Sequence, residues 1–138
     1  MKRIDVVYNL VFNDKNEVLI VRNKKRDDWS LPGGRVEEKE TLKEAAKREM
    51  TEETGYKIEV GEIVSVDEAF INQIHVHFFT FLSLIIGGKA AIIDVETVAE
   101  IRWVSVEEAN RLVPFYQKGF LWLRNESIPY TFHGGITV

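Results

Sequence analysis

The chain has 138 residues and a mass of 15.9 kDa, enough for one domain and too little for two independent cores. Hydrophobic residues make up 45% and charged residues 29%, which excludes wholesale disorder, and 18 Lys plus Arg against 22 Asp plus Glu leave a net charge of -4, which counts against a non-specific nucleic-acid coat protein. There is no cysteine, so a disulfide framework, a Cys-ligated metal site and a thiol nucleophile are all excluded, and the composition is compatible with a reducing, cytoplasmic setting.

In chain order, Ile4–Phe12 is rich in Val, Ile, Tyr and Phe and predicts a strand. Asp5 and Asn9 interrupt any signal-peptide core there, so no targeting segment is expected. The turn cluster Asn13–Asn16 and the apolar Glu17–Arg22 predict a second strand paired with the first as a hairpin. Asn23–Asp28 reads as a charged loop, and Trp29–Gly34, with Pro32 and two glycines, as irregular. A helix follows between clear punctuation marks: Thr41 with Glu44 forms a capping box, and Gly55 stands where a C-terminal cap belongs. Lys57–Ala69 and Ile74–Ile86 predict two strands, and Gly87-Gly88 a turn. The apolar run Phe78–Ile86 is too short to span a membrane. Ile101–Val104 predicts a short strand, and Ser105 with Glu108 caps a helix reaching about Val113. Pro114–Arg124 also reads as helical and Pro129–Val138 as an extended tail. This order points to a single α/β (or α+β) domain over residues 1–138, a mixed sheet between helices.

The chemistry is concentrated in GRVEEKETLKEAAKREMTEETGY, Gly34–Tyr56. On a wheel of about 100° per residue, Leu42, Ala45, Ala46, Glu52 and Glu53 fall within roughly 60° of Glu49. The three glutamates therefore extend the small apolar face, while Lys43, Glu44, Lys47 and Thr51 lie opposite. Solvated helical charge runs pair opposite signs at i,i+4, whereas Glu49 and Glu53 are alike. At a separation of about 6 Å and an effective dielectric of about 20, they repel by about 3 kcal/mol, and burial adds to the cost. A divalent cation would compensate, and oxygen-only donors suit Mg²⁺ or Mn²⁺. Arg48 is placed to neutralise or orient a neighbouring glutamate.

This segment resembles the Nudix box, G-x5-E-x7-R-E-U-x-E-E-x-G-U with U a bulky aliphatic, the signature of hydrolases of nucleoside diphosphates linked to another moiety. Gly34, Glu40, Arg48, Glu49, Glu52, Glu53 and Gly55 occupy its fixed positions; Met50 fills the first U, and Tyr56 departs mildly at the last. Trp29–Gly33 also resembles the family's usual lead-in. The resemblance implies an α/β/α sandwich. It implies metal ligation by Glu49, Glu53, Glu52 and the Gly34 carbonyl, a supporting role for Glu40, and an orienting role for Arg48. It implies a Mg²⁺-dependent pyrophosphohydrolase in which the cation binds diphosphate oxygens and lowers the pKa of a water that a carboxylate positions or deprotonates. Glu53 is the first candidate for that carboxylate; Glu96 and Glu100, shortly before Trp103, are loop candidates.

Outside the box, Arg22 and Arg35 are candidate phosphate ligands, and the Gly33-Gly34 turn lets the backbone approach a phosphate closely. His75 and His77 share one face of a strand, and a metal site there needs further ligands. Aromatic residues such as Trp29 and Phe115 are mostly expected in the core, with one or two free to stack on a base; Phe120 and Trp122 are candidates for a homodimer contact. Markers of the ADP-ribose and diadenosine polyphosphate branches, a Pro and a Tyr about fifteen residues past the box, are absent from Phe70–Ile74. By default the resemblance favours a small-molecule nucleotide substrate, a (d)NTP or modified nucleotide. The alternatives are a nucleotide sugar, an RNA 5′ end, or a non-catalytic nucleotide-binding domain. Extended nucleic-acid binding and membrane association are not expected.

Overall fold

The computed structural model describes residues 1–137. Its elements are β1 (Lys2–Val11), β2 (Val18–Asn23), β3 (Asp28–Ser30), β4 (Gly33–Arg35), α1 (Leu42–Thr54), β5 (Tyr56–Ile71), β6 (Ile74–Gly88), β7 (Val98–Val104), α2 (Val106–Leu112) and α3 (Phe120–Leu123). They form a mixed four-stranded sheet, ordered β4-β1-β6-β5, and an antiparallel three-stranded sheet, ordered β3-β2-β7. The parallel pair is β1 with β6. No helix among the described residues is long and apolar enough to cross a membrane.

Period-two alternation makes the sheets a middle layer between helices. Val7 and Val11 of β1, Leu19 of β2, Ile58 of β5 and Phe81 of β6 pack with Ala45, Ala46 and Met50 of α1. Their neighbours Leu10, Val18, Ile20 and Val64 face the opposite way, onto Ala109, Val113, Tyr116, Phe120 and Leu123 around α2 and α3. A helix therefore covers each face of the mixed layer, as the order of elements predicts.

The expected β1–β2 hairpin is not formed. The two strands lie in different sheets and meet at a single bridge, Phe12 with Val18. β1 instead has β6 on one edge and β4 on the other, with Tyr8 opposite Gly33. The irregular stretch thus supplies two short strands. Gly87 and Gly88 extend β6 opposite Lys57 and Tyr56 instead of turning, and Pro114–Arg124 contains only the one-turn α3. The true β-turn is at Asn72-Gln73, both with positive φ (48° and 63°), which closes β5 onto β6 as a two-residue hairpin. Of the expected tail, Val138 lies outside the described residues, and 129–137 contains neither helix nor strand.

α1 begins at Thr41 with the full capping box and ends at Gly55, in the left-handed region at φ 79°. A buried polar link seats it on the sheet. Asn9, fully buried in β1, donates from Nδ2 to the Ala46 carbonyl at 3.0 Å and accepts at Oδ1 from Ser83 Oγ at 3.0 Å. The last helical carbonyls are capped by the loop before β7: Ala91 N–H donates to Thr54 O, and Ile93 and Asp94 N–H both donate to Glu52 O.

Candidate active site

The buried face of α1 meets the β4 turn at its glutamates. Glu53 is 3% exposed, and its Oε1 accepts the Gly33 N–H at 2.9 Å. Burial pushes its carboxyl up to about 8; the Gly33 hydrogen bond opposes this, and the charges of Glu49, Asp94 and Glu52 add to it. Glu49, one turn earlier, is also raised, first by burial, with Arg48 opposing and Glu52 and Asp94 reinforcing. Gly34 lies directly under its carboxylate. Glu52 is more open, its side chain 40% exposed.

Arg48 organises the rim. Its Nε and Nη2 grip the two oxygens of Glu40 at 2.7 and 2.9 Å, a bidentate pair that holds the Glu40 carboxyl below the usual range. Nη1 reaches Glu49 at 2.9 Å and Glu52 at 3.3 Å, and Nη2 also donates to the Arg35 carbonyl at 3.1 Å. Glu40 thus anchors the arginine that orients two glutamates. Among the described residues Glu53 has no cationic partner, and the charges that act on it, Glu49, Asp94 and Glu52, are all acids.

The sequence-based candidates outside the helix separate. Arg35 is exposed and its guanidinium is uncommitted among the described residues. Arg22 is bound at 2.8 Å to Asp27 and at 3.4 Å to Glu100. Glu100 is held below the usual carboxyl range by Arg102 and Arg22. Glu96 is exposed beside Lys25 and Arg26. Phe120 is fully buried, so of the two aromatics suggested for a dimer contact only Trp122 reaches the surface. The carboxylate that does bear on Glu49 and Glu53 is Asp94, which sequence reasoning passed over. It arrives because its loop caps α1. The only sequence signal was its place in the acidic stretch leading to Trp103, the stretch that contains Glu96.

A cleft of about 880 Å³ opens on the α2 side of the sheet, lined by Tyr8, Trp29, Phe78 and Phe115, with Arg26 and Asp28 at its edge. Tyr8 stacks at 6.0 Å on Phe78, and Phe115 meets both edge-on. Tyr8 also joins the cleft to the carboxylates, since it lies opposite Gly33, whose N–H holds Glu53. The volume and aromatic lining match a drug-sized planar ligand.

Glu49, Glu52, Glu53 and Asp94, running from buried to half-exposed with one arginine beside them, are an unbalanced charge set. An all-oxygen donor group of this kind would suit a hard divalent cation, and Glu49, Glu52 and Glu53 are the carboxylates that could hold one.

The NUDIX domain profile matches residues 2–123. A Bacillus subtilis (strain 168) protein named as a candidate 8-oxo-dGTP diphosphatase is 38% identical over 96 residues, 70% of this chain and 62% of its own length. The 8-oxo-dGDP phosphatase NUDT18 of Mus musculus is 38% identical over 86 residues, 60% of this chain and 26% of its own. The chain therefore spans less than two thirds of these relatives. The crystal structure of a MutT protein from Methanosarcina mazei Go1 superposes with a TM-score of 0.72 at 28% identity, over 89% of this chain and 91% of that one.

Proposed function

The chain belongs to the NUDIX domain family, and from that premise we propose that it is a pyrophosphohydrolase that cleaves a phosphoanhydride bond in a small nucleotide, a (d)NTP or a modified one. The observation that carries this reading is Glu53: a carboxylate 3% exposed, facing three other acids, beside an open backbone turn. A protein that merely bound nucleotides would have no use for that charge repulsion. The names of the two relatives, both referring to 8-oxo-deoxyguanosine nucleotides, favour a purine, and the aromatic cleft supports a base-stacking site.

Within this reading Mg²⁺, or Mn²⁺ in its place, neutralises phosphate charge and acidifies a water when bound. The protein's own residues divide the remaining work. Arg48 orients Glu49 and Glu52 through hydrogen bonds from one guanidinium nitrogen. Glu53, with Oε1 fixed by Gly33, has Oε2 left to accept a proton from the attacking water. Arg35, uncommitted at the rim, is the cation for a substrate phosphate. Trp29, Tyr8 and Phe115 seat the base and exclude water from its faces.

The test is a turnover screen over common and oxidised nucleotides with Mg²⁺ or Mn²⁺, products resolved by chromatography. Nucleoside monophosphate plus pyrophosphate, or monophosphate plus phosphate from a diphosphate, is expected. Release of phosphate from monoesters alone, or tight binding without turnover of any substrate, would overturn it.

A further inference from the structure

On the α1 side of the mixed sheet, away from the glutamates of the helix, three adjacent strands place polar groups in one row. Asp5 of β1 is the register partner of His77 of β6, and His77 is the partner of Glu68 of β5. His75 lies two residues along β6 and so projects from the same face. Glu68 Oε2 is 2.6 Å from His75 Nε2 and 3.4 Å from His77 Nε2. One nitrogen or oxygen from each of Glu68, His75 and His77 lies within 4.8 Å of the others. The two imidazoles alone were an incomplete site in the sequence; the strand pairing supplies the carboxylate.

We propose that Glu68, His75 and His77 form a second, separate cation site that takes a zinc-class transition ion. Two imidazole nitrogens and one carboxylate suit Zn²⁺ and its neighbours, and not the hard Mg²⁺ expected at the box glutamates. A tetrahedral zinc site spaces its ligand atoms about 3.3 Å apart, so modest side-chain movement closes the group. Glu68 Oε2 and His75 Nε2 meet at 2.6 Å, a hydrogen-bond contact whose place the ion would take by ligating both atoms. Glu68 is 60% exposed, so the remaining coordination position opens to water.

A second observation points the same way. Asp5 Oδ1 and His77 Nδ1 are both buried and without a hydrogen-bond partner, 4.0 Å apart. Orphaned buried polar atoms are costly. Ligation through His77 Nε2 fixes the proton on Nδ1 and aims it at Asp5, the carboxylate–histidine–metal arrangement that steadies a metal-bound ring. Phe70, with its ring 4.8 Å from that of His75, limits the other imidazole. Between the histidines Val76 points through the sheet into the cleft, as does Ile74, so an ion here would fasten β1, β6 and β5 behind the cleft wall.

The test titrates Zn²⁺ into the full chain at neutral pH with excess Mg²⁺, using calorimetry and the imidazole NMR signals. A single equivalent should bind and shift the signals of two of the three histidines, leaving His133 in the tail unmoved. Binding should persist in Glu49→Gln/Glu53→Gln, which separates this site from the box. His75→Gln or His77→Gln should weaken it at least about tenfold, and Asp5→Ala by about 10–100-fold. Loss of zinc binding in the box variant, unchanged affinity in the histidine variants, or NMR shifts outside His75 and His77 would each overturn the proposal.

Discussion

Gly34 and Glu49 are in contact across the site: a Cβ built on Gly34 would fall 2.7 Å from the Glu49 carboxyl carbon. Gly33 is constrained differently, since its Cβ would stand 2.0 Å from the Val7 carbonyl, which belongs to the sheet backbone. Gly34→Ala should therefore displace a flexible carboxylate. Its expected result is a kcat at least about tenfold lower, with a melting temperature close to wild type. Gly33→Ala should instead lower the melting temperature, because β1 and β4 must part. Paired thermal melts and turnover assays separate the two outcomes.

Glu49→Gln and Glu53→Gln should each lower kcat by about 10²-fold or more, since on the proposed mechanism each removes a cation ligand or proton acceptor. Lys47→Gln, on the exposed face of α1, should leave it within about twofold. Small and equal losses in all three variants would show that the buried face is not the reacting one.

Asp94→Asn should raise the Mg²⁺ concentration needed for half-maximal activity by roughly 3–10-fold, an effect of about 1 kcal/mol in cation affinity. Glu100→Gln should leave that titration unchanged, because Glu100 is engaged by Arg102 and Arg22. The same magnesium titration on both variants decides between the loop carboxylates.

Glu53 also sets a pH dependence for the metal-free protein. Its folded value is about 8 against an ordinary 4.5, so the folded state holds a proton that the unfolded chain has lost. The stabilising contribution is complete below about 4.5 and disappears as pH rises through about 8, at no more than about 1.4 kcal/mol per pH unit. In EDTA, wild type should accordingly lose stability relative to Glu53→Gln across that window. At tenfold excess over Kd, Mg²⁺ should restore about 1.4 kcal/mol, a rise of roughly 3–6 °C in melting temperature, and the variant should gain less. A variant less stable than wild type in EDTA at pH 8, with the full magnesium increment, would make Glu53 a structural residue.

The helix and its glutamates were legible because their signals are local: a capping box at Thr41, a glycine at Gly55, and a spacing that gathers Glu49 and Glu53 with Ala45 and Ala46. The wheel placed Glu52 equally deep, whereas it sits at the rim. β1–β2 pairing failed for the opposite reason. A turn cluster at Asn13–Asn16 reports only that the chain reverses, while the edges of β1 were claimed by strands from elsewhere in the sequence. Asp94 was hidden because its position depends on unsatisfied carbonyls at a helix end, to which its loop's N–H groups are drawn. Glu68 escaped notice likewise, since cross-strand register brings it to His77.

The buried bond from Asn9 to the Ala46 carbonyl makes the rotational phase of α1 an inherited quantity. From that fixed carbonyl, Glu49 and Glu53 are counted off along the helix, and each added residue would turn them by about 100°. A single insertion between Ala46 and Glu49 would therefore swing the carboxylates out of the site while leaving helix length and composition almost untouched. The same insertion in the exposed Asp14–Asn16 turn would only lengthen a loop. Tolerance to length change should thus be sharply uneven along the chain, lowest over the few residues between the asparagine's anchor and Glu53.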